Sequence, residues 1–315
     1  MAIAFVFPGQ GSQAVGMGKS LADHFAEARQ VFEEVDSALG QKLSDLMWNG
    51  PEDQLTLTEN AQPALMAVSM AALRVLEVQH DITVANTANC VAGHSLGEYA
   101  ALAAAGTFTL ADTARLLRIR GRAMQLATPV GTGAMAALLG LDFKTASEVA
   151  AEAAQGDVCQ AANDNSDGQV VVSGQKAAVE RSLDIAKAKG AKRAILLPVS
   201  APFHCALMQP AADAMAEALA NAEMKAPVVP VIANVVAGPL TDTAIIRQKL
   251  VEQVTGTVRW RECVYAMSDR GVATFVEIGN GKVLTGLAKK NAPEAKAMAV
   301  GTADDFAAVV AALKG

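Results

Sequence analysis

A serine nucleophile is the first chemistry this sequence offers. Gly93-His94-Ser95-Leu96-Gly97 is a G-x-S-x-G pentapeptide, the pattern of a sharp strand-to-helix turn that lifts a serine hydroxyl clear of the backbone. Cys90-Val91-Ala92 before it suits the end of a buried strand. Glu98 to Ala105 after it is rich in helix formers. The two glycines fit a turn where a side chain would crowd the backbone; the bland alternative is an ordinary Gly-Ser turn. Leu96, directly after the serine, would offer its backbone N–H to the oxyanion of an acyl intermediate. A second donor must come from another loop at the strand ends. Pro8-Gly9-Gln10-Gly11-Ser12-Gln13 follows the first apolar run and is glycine-rich enough to admit a substrate. It also reads as a plain strand-to-helix turn. A phosphate loop is disfavoured, because the Lys-Ser/Thr ending of a P-loop is missing.

A serine also needs a base. His94 lies within the turn, where its side chain is expected to point away from the hydroxyl, and His24 and His80 sit in polar, exposed-looking surroundings. His204, in Pro198-Val199-Ser200-Ala201-Pro202-Phe203-His204-Cys205, falls between a strand and a helix. Strand ends are where α/β enzymes mount catalytic groups, and in α/β hydrolases the base follows the serine in chain order. No Asp or Glu stands out to orient the imidazole. Glu277 ends a strand and reads as structural; a backbone carbonyl would serve instead. Arg120 is the most telling charge. At about 100° per residue, Arg115, Arg118 and Arg122 share one helix face, while Arg120 falls among Leu116, Leu117, Ala123, Met124 and Ala127. A buried guanidinium must find an anion. That anion is either an internal carboxylate or the carboxylate of a substrate, which the planar fork fits.

The elements that would hold these groups alternate. Ile3 to Phe7 reads as a buried strand, with helical patterns over Leu21 to Leu39, Pro63 to Leu76 and Leu110 to Ala127. A distinct unit follows: strand Met135 to Leu141, helix Lys144 to Gln155, strand Val158 to Ala162, a turn-rich Asn163 to Gly168, strand Gln169 to Ser173, helix Gln175 to Lys189 and strand Arg193 to Val199. That order is βαββαβ, the ferredoxin-like split motif. It reads as an insertion, because strands at Val228 to Ala233 and Thr274 to Ile278 then resume, with helices around Pro210 to Ala222, Ile245 to Val254 and Gly281 to Lys290.

Composition narrows the class. With 52% hydrophobic and 18% charged residues the chain suits a compact soluble enzyme, and a net charge of −6 argues against nucleic acid as a partner. Cys90, Cys159, Cys205 and Cys263 form no C-x-x-C pair, which suggests reduced thiols in a cytoplasmic protein and no metal site. No membrane association is expected. Ile3 to Phe7 is too short for a signal segment, and the uncharged Ala123 to Leu141 is interrupted by Gln125, Pro129, Gly131 and Gly133.

Together these residues resemble the malonyl-CoA:acyl carrier protein transacylase family. The resemblance runs nearly end to end: Phe7 to Gln13, Gly93 to Glu98, Ile119-Arg120-Gly121, Gln169 to Gly174, Phe203-His204, and Glu277 to Leu284. It implies an α/β fold: an α/β-hydrolase-like core over 1–127 and 206–315, with the ferredoxin-like subdomain inserted at 128–205. It implies Ser95 as nucleophile, His204 as base, and the N–H groups of Gln10 and Leu96 as oxyanion donors. Arg120 would bind the malonyl carboxylate, and the main-chain carbonyl of Gln253 would orient the histidine. Phe203 looks like the malonyl-selective form of its motif, since relatives that take methylmalonyl units tend to carry a smaller residue there. Asn280 stands where many relatives have proline, and Thr255-Gly256-Thr257 replaces a more usual Asn-Pro turn; both are expected to lie outside the reaction centre.

The activity implied is malonyl transfer from malonyl-CoA to holo acyl carrier protein through a malonyl-serine, with no bound cofactor, in a cytoplasmic monomer serving fatty acid synthesis. Acyl carrier proteins are acidic, so an acidic enzyme needs a local basic patch; Lys187, Lys189, Lys192, Arg193, Lys289 and Lys290 are the candidates. A serine thioesterase or lipid acyl hydrolase would share the elbow but would not need Arg120. A non-catalytic carrier-binding protein would need neither Ser95 nor His204.

Overall fold

The computed structural model describes residues 2–199 and 201–314; Ser200, in the segment leading to His204, lies outside them. In chain order the strands are Ala2–Phe7 (β1), Cys90–Gly93 (β2), Gly133–Leu139 (β3), Cys159–Ser166 (β4), Gln169–Gln175 (β5), Arg193–Leu196 (β6), Val231–Ala233 (β7), Gly238–Leu240 (β8), Val272–Ile278 (β9) and Lys296–Val300 (β10). They form two sheets, ordered β10-β9-β1-β2-β7-β8 and β4-β5-β3-β6.

The first sheet is parallel apart from the β7–β8 pair. Its consecutive parallel strands are joined by helical crossovers, which leave both faces covered. Alternation along β1 and β2 serves two different cores. Phe5, Phe7 and Val91 face the larger one, with helix Thr58–His80; Ala4, Val6 and Ala92 face Trp260, Cys263 and Phe275. Helix Thr58–His80 is long and apolar enough to cross a membrane, yet 78% of its apolar window is buried inside the protein.

The second sheet is antiparallel throughout. Its helices Phe143–Ala154 and Lys176–Ala188 share a core with Ala136, Leu138, Val170 and Val172, while Met135, Ala162 and Val171 face the large core of the first sheet. This is the ferredoxin-like arrangement expected of a βαββαβ unit.

Three expectations are corrected. The polar run Asn163 to Ser166 is strand, not turn. It extends β4 with irregular register around Ala162 and Asn165, and only Asp167-Gly168 turns. Two of its buried polar side chains are paired, Asp164 with Arg261 at 2.8 Å and Asn165 with His94 at 2.8 Å. The helix read over Leu21 to Leu39 is two helices, Lys19–His24 and Ala26–Leu39, divided by extended Phe25. The strand read to Val199 ends at Leu196. Three elements add to those read from the sequence: strand β10 completes the sheet edge, helix Trp260–Asp269 covers the second face, and helix Phe306–Lys314 packs into the larger core.

The parallel pairing of β1 with β2 sets the site. Phe7 stands opposite Gly93, and the His94 N–H donates to the Phe7 carbonyl at 3.0 Å. Their following loops therefore emerge side by side. The fit leaves no room for side chains: a Cβ on Gly93 would lie 1.9 Å from the Gly97 backbone, and one on Gly97 would lie 2.3 Å from the Phe7 carbonyl oxygen. Gly97→Ala should therefore destabilise the protein by roughly 1–3 kcal/mol, the range for an overpacked site, and should impair Ser95. Urea denaturation checks this; an unchanged midpoint would show that the loops are not in contact.

Candidate active site

Ser95 sits at the tip of the turn with φ of 54°, a left-handed conformation that costs a non-glycine residue about 1–3 kcal/mol unless its surroundings hold it. Asn234 does so from both sides. Its Oδ1 accepts from the Ser95 N–H at 2.8 Å, and its Nδ2 donates to the Gly93 carbonyl at 2.8 Å. Asn234 is in turn fixed by Glu98, whose Oε2 accepts from the Asn234 N–H at 2.9 Å. Glu98 begins helix Gly97–Ala104 directly after the elbow, where a carboxylate is favoured by the helix dipole.

His204 Nε2 lies 2.7 Å from Ser95 Oγ, and its Nδ1 lies 2.9 Å from the Gln253 carbonyl. A carbonyl only accepts, so Nδ1 carries the proton and Nε2 is the free acceptor. Arg120 Nη2 donates to the same Ser95 Oγ at 3.1 Å. A guanidinium only donates, so the serine proton must point at His204. Burial first, and then the Arg120 cation, push the His204 pKa down to about 3, against a smaller upward pull from the Gln253 carbonyl. The imidazole is therefore neutral near pH 7 and ready to take a proton.

Arg120 is 1% exposed and has no carboxylate within ion-pair distance among the described residues; its partners are Gln62 Oε1 at 2.8 Å, Gln253 Oε1 at 2.9 Å and Ser95 Oγ. Its guanidinium carbon stands 5.7 Å from the centre of the Tyr99 ring. Its Nε–H is buried without a partner among the described residues. Of the two anions considered for Arg120, the internal carboxylate is not in contact. The helical wheel erred on Arg118, which is buried against Asn60 at 2.9 Å by the packing of helix Thr58–His80, while Arg115 and Arg122 stay exposed.

The remaining candidates fall around this centre. The backbone N–H groups of Gln10 and Leu96 have no protein acceptor among the described residues; Gln10 bonds Thr58 through its side chain at 3.2 Å. Phe203 is buried beside His204, in the cluster that holds Leu96. His94 is turned away, bonded to Asn165 and tilted against Trp260. Glu277 is structural: it accepts from the backbone of Leu284 and Thr285. The two departures lie closer than expected. The Gly256 backbone touches His204, and Asn280 donates to the Ser12 carbonyl, pinning the Gln10 loop. Of the basic candidates, Lys189 and Lys187 are paired with Glu152 and Asp184. Lys192, Arg193, Lys289 and Lys290 are exposed, Lys290 bonding Gln169 across to the second sheet.

Sequence reasoning missed Glu98, Asn234 and Gln62. Only Glu98 left a signal, as an acid in the first helical turn after the elbow. Burial raises its pKa to about 7, against the pull of Asn234, Gln253 and Arg120.

A hydroxyl hydrogen-bonded to a neutral imidazole, beside a desolvated guanidinium, is equipment for acyl transfer through a serine ester. A family model described as an acyl transferase domain matches residues 4–304. The malonyl CoA-acyl carrier protein transacylase of Bacillus subtilis is 45% identical over 313 residues, 99% of this chain and 97% of that one. The crystal structure of an acyl-carrier-protein S-malonyltransferase from Bartonella henselae superposes with a TM-score of 0.97 at 58% identity, covering 100% of both chains. A malonyl-transacylase solved in complex with its type II PKS acyl-carrier protein gives 0.94 at 44% identity, covering 100% of this chain and 99% of that one. The chain thus belongs to the acyl transferases, and among them to the malonyl CoA-acyl carrier protein transacylase family.

Burial of neutral His204 has a pH signature. An unfolded histidine titrates near 6.5 and the folded one near 3, so between these values only the unfolded chain binds the proton. This contribution to stability is full above pH 6.5 and is lost as pH falls toward 3. His204→Asn, which tolerates the positive φ of 58° at this position, should flatten the stability–pH curve across that window in urea titrations. Curves that stay parallel would refute a buried neutral imidazole.

Proposed function

We propose that this chain moves the malonyl group from malonyl-CoA to the phosphopantetheine thiol of acyl carrier protein, for fatty acid biosynthesis, with Ser95 as the covalent carrier. The observation that carries the reading is the double contact at Ser95 Oγ, 2.7 Å from His204 Nε2 and 3.1 Å from Arg120 Nη2. The nucleophile and a carboxylate-binding fork share one point in space, which suits an acyl group carrying its own carboxylate.

In the first half-reaction Ser95 Oγ attacks the thioester carbonyl as its proton passes to His204 Nε2. The oxyanion is received by the N–H groups of Gln10 and Leu96. The C–S bond breaks, the CoA sulfur takes the proton back from His204, and malonyl remains as a serine ester. In the second, the carrier thiol gives its proton to His204 and attacks the ester carbonyl. Ser95 then leaves with that proton. The Gln253 carbonyl stabilises the transient imidazolium, and Arg120 holds the malonyl carboxylate in both halves. Phe203 crowds an α-methyl branch, although one methyl group supports only modest discrimination. The reaction needs two substrates and no bound cofactor. A cytoplasmic location is supported by four buried, unpaired cysteines.

Intact mass after mixing with malonyl-CoA, then with holo acyl carrier protein, tests the scheme. A malonyl adduct that is absent in Ser95→Ala and passes to the carrier is the expected result; an adduct released only to water would indicate a hydrolase. Arg120→Ala should lower malonyl kcat/KM by roughly 30-fold or more, the scale for losing one partner of a buried charge pair, and should favour acetyl-CoA. Lys289→Glu with Lys290→Glu should raise the KM for the carrier several-fold in a salt-dependent way and spare acylation by malonyl-CoA. Equal effects on both half-reactions would remove these lysines from the docking surface.

A further inference from the structure

Gln253 touches the site twice, through different atoms. Its main-chain carbonyl holds His204 Nδ1 at 2.9 Å, while its side-chain Oε1 accepts from Arg120 Nη2 at 2.9 Å. The amide end of the same side chain is tied down on the far side. Its Nε2 donates to the Ser95 carbonyl at 3.0 Å and to Glu98 Oε2 at 2.9 Å. The residue is fully buried near the end of helix Thr243–Thr255.

The orientation of that amide is forced. A backbone carbonyl and a carboxylate accept on one side, so the NH2 must face them. A guanidinium donates on the other side, so the oxygen must face Arg120. Gln62 Oε1 takes the opposite arm of the guanidinium at 2.8 Å. Two amide oxygens thus fix the plane of a cation that no carboxylate among the described residues touches. The Nε–H stays unpartnered, and the bond to Ser95 Oγ is the one acylation would disturb.

We propose that the Gln253 side chain, anchored by Glu98, is a positioning residue that aims Arg120 and thereby sets the preference for acyl groups bearing a carboxylate. This rests on the malonyl-transfer reading and adds a second role to a residue whose first role is confined to its backbone. The two roles are separable by experiment. Gln253→Met keeps the backbone carbonyl and the side-chain length and removes the amide. His204 keeps its main-chain partner, the Ser95 carbonyl loses one donor, and Arg120 loses its aim. A displacement of about 1 Å at a positioned group is enough to cost on the order of 100-fold in rate.

The test compares self-acylation by malonyl-CoA and by acetyl-CoA in the unmodified protein and in Gln253→Met, followed by intact mass. The expected result is a malonyl kcat/KM lowered at least tenfold further than the acetyl kcat/KM, so that the malonyl-to-acetyl preference falls by that factor. Equal losses on both substrates, or an unchanged malonyl preference, would overturn the positioning role while leaving malonyl transfer intact. An unmodified protein that malonyl-CoA fails to acylate would overturn the functional reading itself. If Gln253→Met does not fold, Gln62→Met releases the other arm of the guanidinium and carries the same expectation.

Discussion

Burying the Arg120 guanidinium without a carboxylate in contact is the constraint around which this site is organised. Desolvating a cation costs several kcal/mol even after relaxation. A direct ion pair would offset most of that and would also block the fork. The fold uses weaker partners instead: two amide oxygens, a serine hydroxyl and the face of Tyr99. Glu98 is set behind the Gln253 amide, and when ionised it is a negative charge that favours the Arg120 cation without touching it. The guanidinium therefore keeps its charge with no carboxylate in contact among the described residues.

The same arrangement explains the state of the serine and histidine. A donor-only guanidinium and a carbonyl-bound imidazole leave one orientation for the Ser95 proton, and burial keeps His204 neutral. The strained serine backbone is held by Asn234, which Glu98 holds in turn. Ser95, His204 and Arg120 are joined through Gln253, Glu98 and Asn234. Displacement of any one of these would be felt by the others, because buried polar networks have no water to substitute for a lost partner.

The inserted sheet is attached to this centre by polar contacts as well as by packing. Asp164 pairs with Arg261, Asn165 reaches His94 beside Ser95, and Asn291 donates to the Asn165 carbonyl. Thr257 bonds the Ala161 carbonyl, and the adjoining Gly256 backbone lies against His204. The loop that carries the histidine contact is thus shared between the two sheets. Its departure from the usual Asn-Pro turn is compatible with the geometry, because the contact to His204 is made by backbone.

Local rules made much of this protein legible in its sequence. The elbow could be read because two glycines around a serine satisfy a steric demand that is itself local. Arg120 stood out because helical periodicity put it among apolar residues, and the βαββαβ order emerged from alternating periods. Gln10 and Gln253 could be named only through resemblance, since a backbone group leaves no trace in side-chain chemistry. The tertiary structure alone decided the rest. Asn163 to Ser166 looks like a turn, and is strand where Asp164 and Asn165 find partners far along the chain. Arg118 is buried by a helix that the wheel could not place. Gln62, Glu98 and Asn234 are ordinary polar residues until three elements converge on Ser95. Sequence fixes what each residue can donate or accept; only packing decides which partners are within reach and shielded from water.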